Sequence, residues 1–410
     1  MLRGKHIVVG ISGGIAAYKI PDLIRRLRKE GAEVKVTTTK HALEFVTELT
    51  LQTLSGHKVY SDVFAAINDH STEHISLPDW ADAMLIAPAT ANVLGKMAHA
   101  IADDALTTTF CAMQKPVVIA PAMNDKMFAN PAVRDALETL SRHNNVTMLD
   151  CAEGELACGT TGKGRMQEAD ALIEAVRFAL TPKDLAGKRV MITSGPTQEP
   201  IDPVRYISNH STGKMGNALA LECWRRGADV TYICGPIASL PTVPAFFSCQ
   251  ESAISNQLSV INVISAKEMA EAALAQADQA HLIILCAAVA DFTPEEVADT
   301  KIKKQHGQTS LSLPLTVTQD IAALLGARKH AGQTIVGFAL ETNNEQTNAQ
   351  HKLASKNLDY IVLNSLQDKG AGFGCDTNKV TIYAASGAKK DVPLLSKQDV
   401  ATEIVNCVTI

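Results

Sequence analysis

Arg189-Val190-Met191-Ile192-Thr193-Ser194-Gly195-Pro196-Thr197-Gln198-Glu199-Pro200-Ile201-Asp202-Pro203-Val204-Arg205-Tyr206-Ile207-Ser208-Asn209-His210-Ser211-Thr212-Gly213-Lys214-Met215-Gly216 is the segment that fixes the reading of this chain. Its first five residues form an apolar, β-type run, and Asn217 to Trp224, which follow it, carry a helical pattern. A long polar loop between a parallel strand and a helix lies at the ligand edge of an open α/β sheet. This loop carries Arg205, Asn209, Lys214 and several hydroxyls, and it closes through Gly213 onto a helix N-terminus. Free backbone N–H groups and the helix dipole favour phosphate at such a terminus. Loops of this length inside compact domains are uncommon unless functional or disordered. The expectation is a site for an anionic ligand.

Two familiar phosphate motifs do not account for the loop. In a Walker A sequence the position five residues before Gly213 is Gly, whereas here it is Ser208, and Met215 stands where a magnesium-binding hydroxyl is required. No Gly-x-Gly-x-x-Gly occurs, so the dinucleotide fingerprint is also missing.

Moving outward, the chain opens on the same plan. Ile7-Val8-Val9-Gly10 reads as a buried strand, Ile11-Ser12-Gly13-Gly14 as a turn, Ile15 to Glu30 as a helix closed by Gly31, and Glu33 to Thr38 as the next strand. In the second half Gly227 ends the helix and Asp229 to Cys234 forms the second strand. Further apolar strands fall at Ala83–Ala87, Pro116–Ala120, Leu282–Cys286, Thr334–Phe338 and Tyr360–Leu363. Strands alternating with helices imply mostly parallel sheets covered on both faces. Thr181 to Lys188 is rich in polar and breaker residues and separates the halves. The fold class is therefore α/β in two tandem domains, residues 1–181 and 188–410.

At 410 residues the chain exceeds one ordinary core, and 46% hydrophobic with 20% charged residues describes a globular protein. A net charge of −5 leaves no electrostatic footprint for nucleic acid. No apolar run is long enough to span a bilayer and no signal-peptide pattern opens the chain, so no membrane partner is expected. Nine cysteines without a pairing pattern suit a reducing compartment, pointing to the cytoplasm. Cys151 and Cys158, with six residues between them and no second pair nearby, have poor zinc spacing.

In the first half, Gly10-Ile11-Ser12-Gly13-Gly14 places N–H groups and Ser12 where one phosphate can sit. Ala87-Pro88-Ala89-Thr90-Ala91-Asn92 and Pro121-Ala122-Met123-Asn124-Asp125-Lys126-Met127-Phe128 again follow strands and precede helices. Glu153-Gly154-Glu155-Leu156-Ala157-Cys158-Gly159-Thr160-Thr161-Gly162-Lys163-Gly164-Arg165-Met166 holds four glycines around one Cys, the composition of a flap rather than a regular element. Between Lys163 and Arg165 on one side and open chain on the other, Cys158 has the makings of an acid or a thiolate. His74, in Thr72-Glu73-His74-Ile75, carries meaning only through this surrounding pattern.

Taken together, Ser12 to Ala16, His74-Ile75, Ala87 to Asn92, Pro121 to Asn124 and Leu156 to Gly159 resemble the homo-oligomeric flavin-containing cysteine decarboxylases, whose fold is flavodoxin-like. Ser194 to Gly216 resembles phosphopantothenate–cysteine ligase, a Rossmann-like domain. The whole chain resembles the bifunctional bacterial family of coenzyme A biosynthesis that fuses the two. That resemblance implies FMN in the first domain, with Ser12, Gly13, Gly14 and Thr39 at its phosphate and Thr90 and Asn92 near its ring. It implies a proton-handling role for His74, carboxylate binding by Asn124, and Cys158 as acid for the reductive half. The chemistry has a physical logic. A β-thiol carboxylate has no electron sink, so oxidation to a thioaldehyde must precede loss of CO₂, with the cofactor carrying the difficult step.

For the second domain the resemblance implies CTP with Mg²⁺, 4′-phosphopantothenate and cysteine, joined through an acyl-cytidylate. Such a reaction needs donors at the acyl oxygen and cations at the triphosphate. The implied residues are Asn209 and Arg205 at the intermediate, Gly213 and Lys214 on the loop, Asp291 at nucleotide and metal, Lys301 of Lys301-Ile302-Lys303-Lys304 at the triphosphate, and Phe338, Lys352 and Lys356 on the nucleotide side. A homo-oligomer of decarboxylase trimers joined by ligase dimers is also implied. The ligase loop of that family commonly begins with paired Gly, whereas this chain has Ser194-Gly195-Pro196-Thr197, and Pro196 lacks an N–H. Two rival readings are a tandem NAD(P) oxidoreductase, opposed by the missing fingerprint, and a flavoprotein binding module with degenerate sites. The presence of His74, Asn124, Cys158, Asn209 and Lys301 together opposes the second.

Overall fold

The computed structural model describes residues 2–64, 73–155, 159, 161–247, 257–304, 306, 309–341, 343–365 and 370–408. The chain forms two compact units, one of Met1–Pro182 with Thr242–Ile254, the other of Lys183–Pro241 with Ser255–Ile410.

In the first unit, strands β1 (His6–Ile11), β2 (Glu33–Thr38), β3 (Ala83–Ala89), β4 (Val117–Pro121) and β5 (Val146–Met148) form a parallel sheet of order β2-β1-β3-β4-β5. That order is the flavodoxin-like one, with its switch point between β1 and β3. Alternate residues of β1 feed opposite cores. Ile7, Val9 and Ile11 pack with Leu23, Ile24 and Leu27 on one face, while Val8 packs with Met84, Ile86 and Leu106 on the other. Each such side chain contributes about 1.5–3 kcal/mol of burial, which is why these strands read as unbroken apolar runs. A hairpin of β6 (Ala152–Glu155) and β7 (Thr161–Arg165) follows.

The helix expected over Ile15–Glu30 is divided. Ile15–Lys19 is 3-10 and the α-helix runs Ile20–Lys29, because Pro21 has no N–H to donate and is accommodated only in a first turn.

Thr242–Phe247, far along the sequence, belongs to the first unit for an apolar reason. Phe246 bridges Leu149 in antiparallel fashion and packs at 5.1 Å from Phe178, Phe247 is buried in the second core, and Gln167 exchanges hydrogen bonds with both backbone groups of Ala245.

The second unit is built on β8 (Arg189–Ser194), β11 (Asp229–Cys234), β12 (Leu258–Asn262), β13 (Leu282–Leu285), β16 (Thr334–Glu341), β17 (Tyr360–Ser365), β18 (Thr377–Ala384) and β19 (Lys389–Ser396), in the order β12-β11-β8-β13-β16-β17-β18-β19. The first six strands are parallel and repeat the Rossmann order, with the switch point between β8 and β13; β18 and β19 extend the sheet antiparallel. The long loop after β8 is not structureless. It folds into its own hairpin, β9 (Gln198–Asp202) with β10 (Arg205–Ser208), and a second small hairpin joins β14 (Phe292–Pro294) to β15 (Leu315–Val317).

Candidate functional sites

In the first unit the switch point is tied shut by Ser12. Its buried hydroxyl donates to the Pro88 carbonyl at 2.6 Å and accepts from the Thr90 N–H at 3.0 Å, joining the ends of β1 and β3. A Cβ on Gly13 would lie 2.5 Å from His41 Cβ and 2.9 Å from its carbonyl carbon, so no larger residue fits the turn. Beside it, the hydroxyls of Thr37, Thr38 and Thr39 are buried and make no hydrogen bond within the protein. Buried hydroxyls are otherwise almost always paired, so three in succession at the ligand edge fit an oxygen-rich group such as a flavin phosphate and its side chain. Sequence reasoning named Thr39 and passed over Thr37 and Thr38, although a Thr-Thr-Thr run at a strand end was the available signal. Thr90 is half-buried and Asn92 exposed on the helix Ala91–Ala98.

Asn124 caps the short helix Asp125–Phe128, its side chain accepting from the Lys126 N–H at 2.9 Å. The β6–β7 hairpin lies directly on this turn: Met123 N–H donates to the Gly164 carbonyl at 3.0 Å, and a Cβ on Gly164 would meet the Met123 carbonyl at 2.2 Å. Cys158 falls in the connection between β6 and β7 and lies outside the described residues. The two cations flanking it in sequence are neutralised, Lys163 by Asp150 at 2.5 Å and Arg165 by Glu168 at 3.2 Å. Two residues after Arg165, Gln167 donates to the Asp150 carbonyl at 2.8 Å, so the two feet of the hairpin are joined. His74 is half-buried on the helix Glu73–Trp80.

In the second unit a cavity of about 520 Å³ opens at the β8/β13 switch point. Its walls include Asn209, Gly213, Lys214, Asp291, Phe338, Lys352 and Lys356, all singled out from the sequence. Asn209 donates its amide hydrogens to the carbonyls of Ala288 at 3.0 Å and Val289 at 3.2 Å, pinning the loop after β13. Lys352 pairs with Glu341 at 2.6 Å, Lys356 with Asp320 at 2.9 Å, and Lys214 with Asp376 at 2.6 Å.

Arg205 and Lys301 stand off the cavity wall. Arg205 grips Asp202 through two nitrogens and donates to the Ile302 carbonyl at 2.6 Å, while Asp202 accepts from the N–H groups of Val204, Arg205 and Ile302. The Arg205 hydrogen bonds hold the Asp202 carboxyl well below the ordinary carboxylate range. This node fastens the turn of the β9–β10 hairpin to the stretch bearing Lys301, which is itself exposed. Among the described residues no group of three or more His, Cys, Asp or Glu side chains is placed to hold a metal. Asp291 and Asp320 on the cavity wall, the latter paired with Lys356, fit the way Mg²⁺ is held by one or two carboxylates together with substrate phosphates. Lys397, Asp320, Asn364 and Asn378 also line the cavity and were not read from the sequence.

Residues 1–180 match the Flavoprotein family and residues 185–410 the DNA/pantothenate metabolism flavoprotein C-terminal domain. The chain is 46% identical to the coenzyme A biosynthesis bifunctional protein CoaBC of Bacillus subtilis, covering 99% of this chain and 97% of that protein. It is 43% identical to the corresponding protein of Vibrio vulnificus over 98% and 97% of the two chains. It is also 45% identical to a cysteine/cysteine sulfinic acid decarboxylase from an unidentified prokaryote, over 88% of this chain and 98% of that one. With both halves matched in order along the whole length, the chain belongs to the family of bifunctional coenzyme A biosynthesis enzymes, a flavin-dependent decarboxylase half followed by a ligase half.

Proposed function

We propose that the second unit joins 4′-phosphopantothenate to cysteine with CTP, and that the first decarboxylates the product to 4′-phosphopantetheine. The observation that carries this reading is that residues named from the sequence gather at the switch points of the two sheets, Ser12, Gly13 and Thr39 in the first unit and the cavity wall in the second.

In the ligase, the substrate carboxylate attacks the α-phosphorus of CTP. Pyrophosphate leaves and an acyl-cytidylate forms; the cysteine amine then attacks the acyl carbon and CMP leaves. Lys352, Lys356 and Lys301 meet the charge of the triphosphate, with Phe338 against the nucleotide and Asp291 at its Mg²⁺. Asn209 serves the second step by holding the Ala288–Val289 carbonyls and thus the loop on which the acyl group rests. Arg205 acts at one remove, as the residue that positions the Lys301 stretch.

In the decarboxylase, Gly13, Gly14 and the hydroxyls of Thr37 to Thr39 would hold the phosphate side of FMN, and Ser12 fixes the turn. Thr90 and Asn92 would lie near its ring. Bound FMN supplies reversible two-electron chemistry that turns the carbon bearing sulfur into an electron sink. Asn124 orients the carboxylate to be lost, His74 handles the proton at that step, and Cys158 returns a proton to the product.

The enzyme works in the cytoplasm as a homo-oligomer, decarboxylase trimers being joined through ligase dimers. Exposed Phe292, Leu315 and Val317 on the β14–β15 hairpin are the kind of apolar surface that association covers. The cysteines among the described residues are free, in keeping with a reducing compartment, and no described helix is long and apolar enough to cross a membrane.

The test is His74→Asn in the full chain supplied with 4′-phosphopantothenate, cysteine and CTP. 4′-Phosphopantothenoylcysteine should accumulate with pyrophosphate release unchanged. Normal CO₂ output would remove His74 from the reaction.

A further inference from the structure

Among the described residues four lysines line the ligase cavity, and one differs from the rest. Lys214, Lys352 and Lys356 each have a carboxylate within ion-pairing distance. Lys397 has none among the described residues. Its ammonium is met only by two carbonyls, Gly372 at 3.1 Å and Cys375 at 2.5 Å, and the residue is 8% exposed.

The placement is on balance unfavourable to a cation, although Asp376 at longer range and the two carbonyls favour it. Burial with no carboxylate in ion-pairing contact lowers its pKa, and Lys214 nearby acts in the same direction, only partly offset by Asp376 and the neighbouring thiols. Lys397 is also the first residue of the helix Lys397–Cys407, capped by Ser396, so it sits at the positive end of a helix dipole. Such a charge is retained where an anion comes to it.

The position in the fold says which anion. Lys352, Lys356 and Asp320 come from the face of the sheet where the helices Ala266–Ala277, Ile321–Arg328 and Glu345–Ser355 share a core with Ile283, Leu285 and Ile335. Lys397 lies on the other face. Its helix packs beside Lys214–Arg225 through the Arg225–Gln398 and Arg226–Asn406 bonds, and Asn378 reaches Met215. At that end the cavity is walled by Gly213 to Gly216 and by Cys286. The nucleotide phosphates are assigned to the first face. Of the other anionic groups, the 4′-phosphopantothenate carboxylate must lie at the α-phosphorus it attacks and cysteine brings a single charge, so the phosphate of 4′-phosphopantothenate is the most highly charged group left to place.

We propose that Lys397 is a specificity residue of the ligase, its buried ammonium receiving that phosphate and so selecting the phosphorylated over the free pantothenate. The proposal rests on the ligase reading of this cavity. Its contacts with the Gly372 and Cys375 carbonyls orient the ammonium.

The experiment uses the full enzyme and Lys397→Gln, with Lys397→Arg as the variant that keeps the charge. Pyrophosphate release is measured with CTP and cysteine while either 4′-phosphopantothenate or pantothenate is varied. Lys397→Gln should raise KM for 4′-phosphopantothenate about tenfold or more, the usual scale for losing a charge-assisted bond. It should leave KM for CTP within about twofold and kcat/KM for pantothenate unchanged, so that the preference for the phosphorylated substrate collapses. Lys397→Arg should recover most of the preference. An equal loss on both acids, or a loss confined to CTP, would overturn the assignment, because a loop merely loosened cannot distinguish the acids. If Lys397→Gln fails to fold, Lys397→Met, which keeps the length of the stem, answers the same question. Wild-type enzyme without CTP-dependent pyrophosphate release would refute the ligase reading itself rather than this residue.

Discussion

Asn209→Asp offers the sharpest view of how the ligase divides its labour. The wild-type amide donates two hydrogen bonds, to the carbonyls of Ala288 and Val289. An ionised Asp has no hydrogen to give and sets a carboxylate against two carbonyl oxygens. Each bond is worth about 0.5–1.5 kcal/mol net, so the loop loses about 1–3 kcal/mol of support before repulsion is counted. If the acyl group is held by this loop when cysteine attacks, that loss appears in the amide-forming step as a slowing of roughly 5- to 150-fold. Attack on CTP, whose charge falls on Lys301, Lys352 and Lys356, should be nearly spared. The assay mixes the variant with CTP and 4′-phosphopantothenate and follows pyrophosphate and the acyl-cytidylate by mass spectrometry, with and without cysteine. The cytidylate should form and persist when cysteine is added, whereas Lys301→Gln should never form it. If Asn209→Asp makes no cytidylate, or Lys301→Gln accumulates it, the roles are reversed and the reasoning fails.

Gly13→Ala should drive the new methyl into His41, an overpacking of about 1–3 kcal/mol, and lower FMN affinity roughly 5- to 150-fold; flavin retained through gel filtration reads this, and ligase activity should not change. Cys158→Ser should keep FMN and release CO₂ but stall, since a hydroxyl is a far weaker acid than a thiol, leaving an oxidised decarboxylated product; normal 4′-phosphopantetheine formation would exclude the thiol. Asp202 has a folded pKa depressed by Arg205, so its contribution to stability is complete above the ordinary carboxylate value of about 3.9 and is lost as pH falls through the lower folded value. Asp202→Asn should therefore melt below wild type at pH 6, with the gap closing as pH is taken toward 3; a gap that widens would contradict the sign.

Much of this architecture was legible because its strands are buried on both faces. Val8 and Val9 are apolar in succession since each enters a different core, and Ile283 and Ile284 are both fully buried. The parts that escaped the sequence depend on tertiary partners. The β9–β10 hairpin hides behind two prolines and is held by the Asp202–Arg205 node, which local composition does not announce. Phe246 and Phe247 read as stray aromatics until the edge of the first sheet is known. The extending strand β19 shows little alternation because it is largely exposed. Of the residues lining the ligase cavity, Asn209, Gly213, Lys214 and Asp291 on loops after strands were singled out from the sequence, whereas Lys397 was not, although a lysine opening a helix against its dipole was a visible anomaly. Arg205, chosen for its charge, is occupied by a neighbour three residues away.

The central claim is that one chain performs both reactions, and one coupled measurement reaches it most directly. The full-length protein, purified with its flavin, is given 4′-phosphopantothenate, cysteine labelled in its carboxyl carbon, CTP and Mg²⁺, and pyrophosphate, labelled CO₂ and 4′-phosphopantetheine are quantified together. The account predicts all three in equal amounts, with CO₂ release abolished when CTP is omitted and restored by 4′-phosphopantothenoylcysteine added directly. Pyrophosphate without CO₂, CO₂ from free cysteine without CTP, or a colourless protein that makes neither product would contradict it.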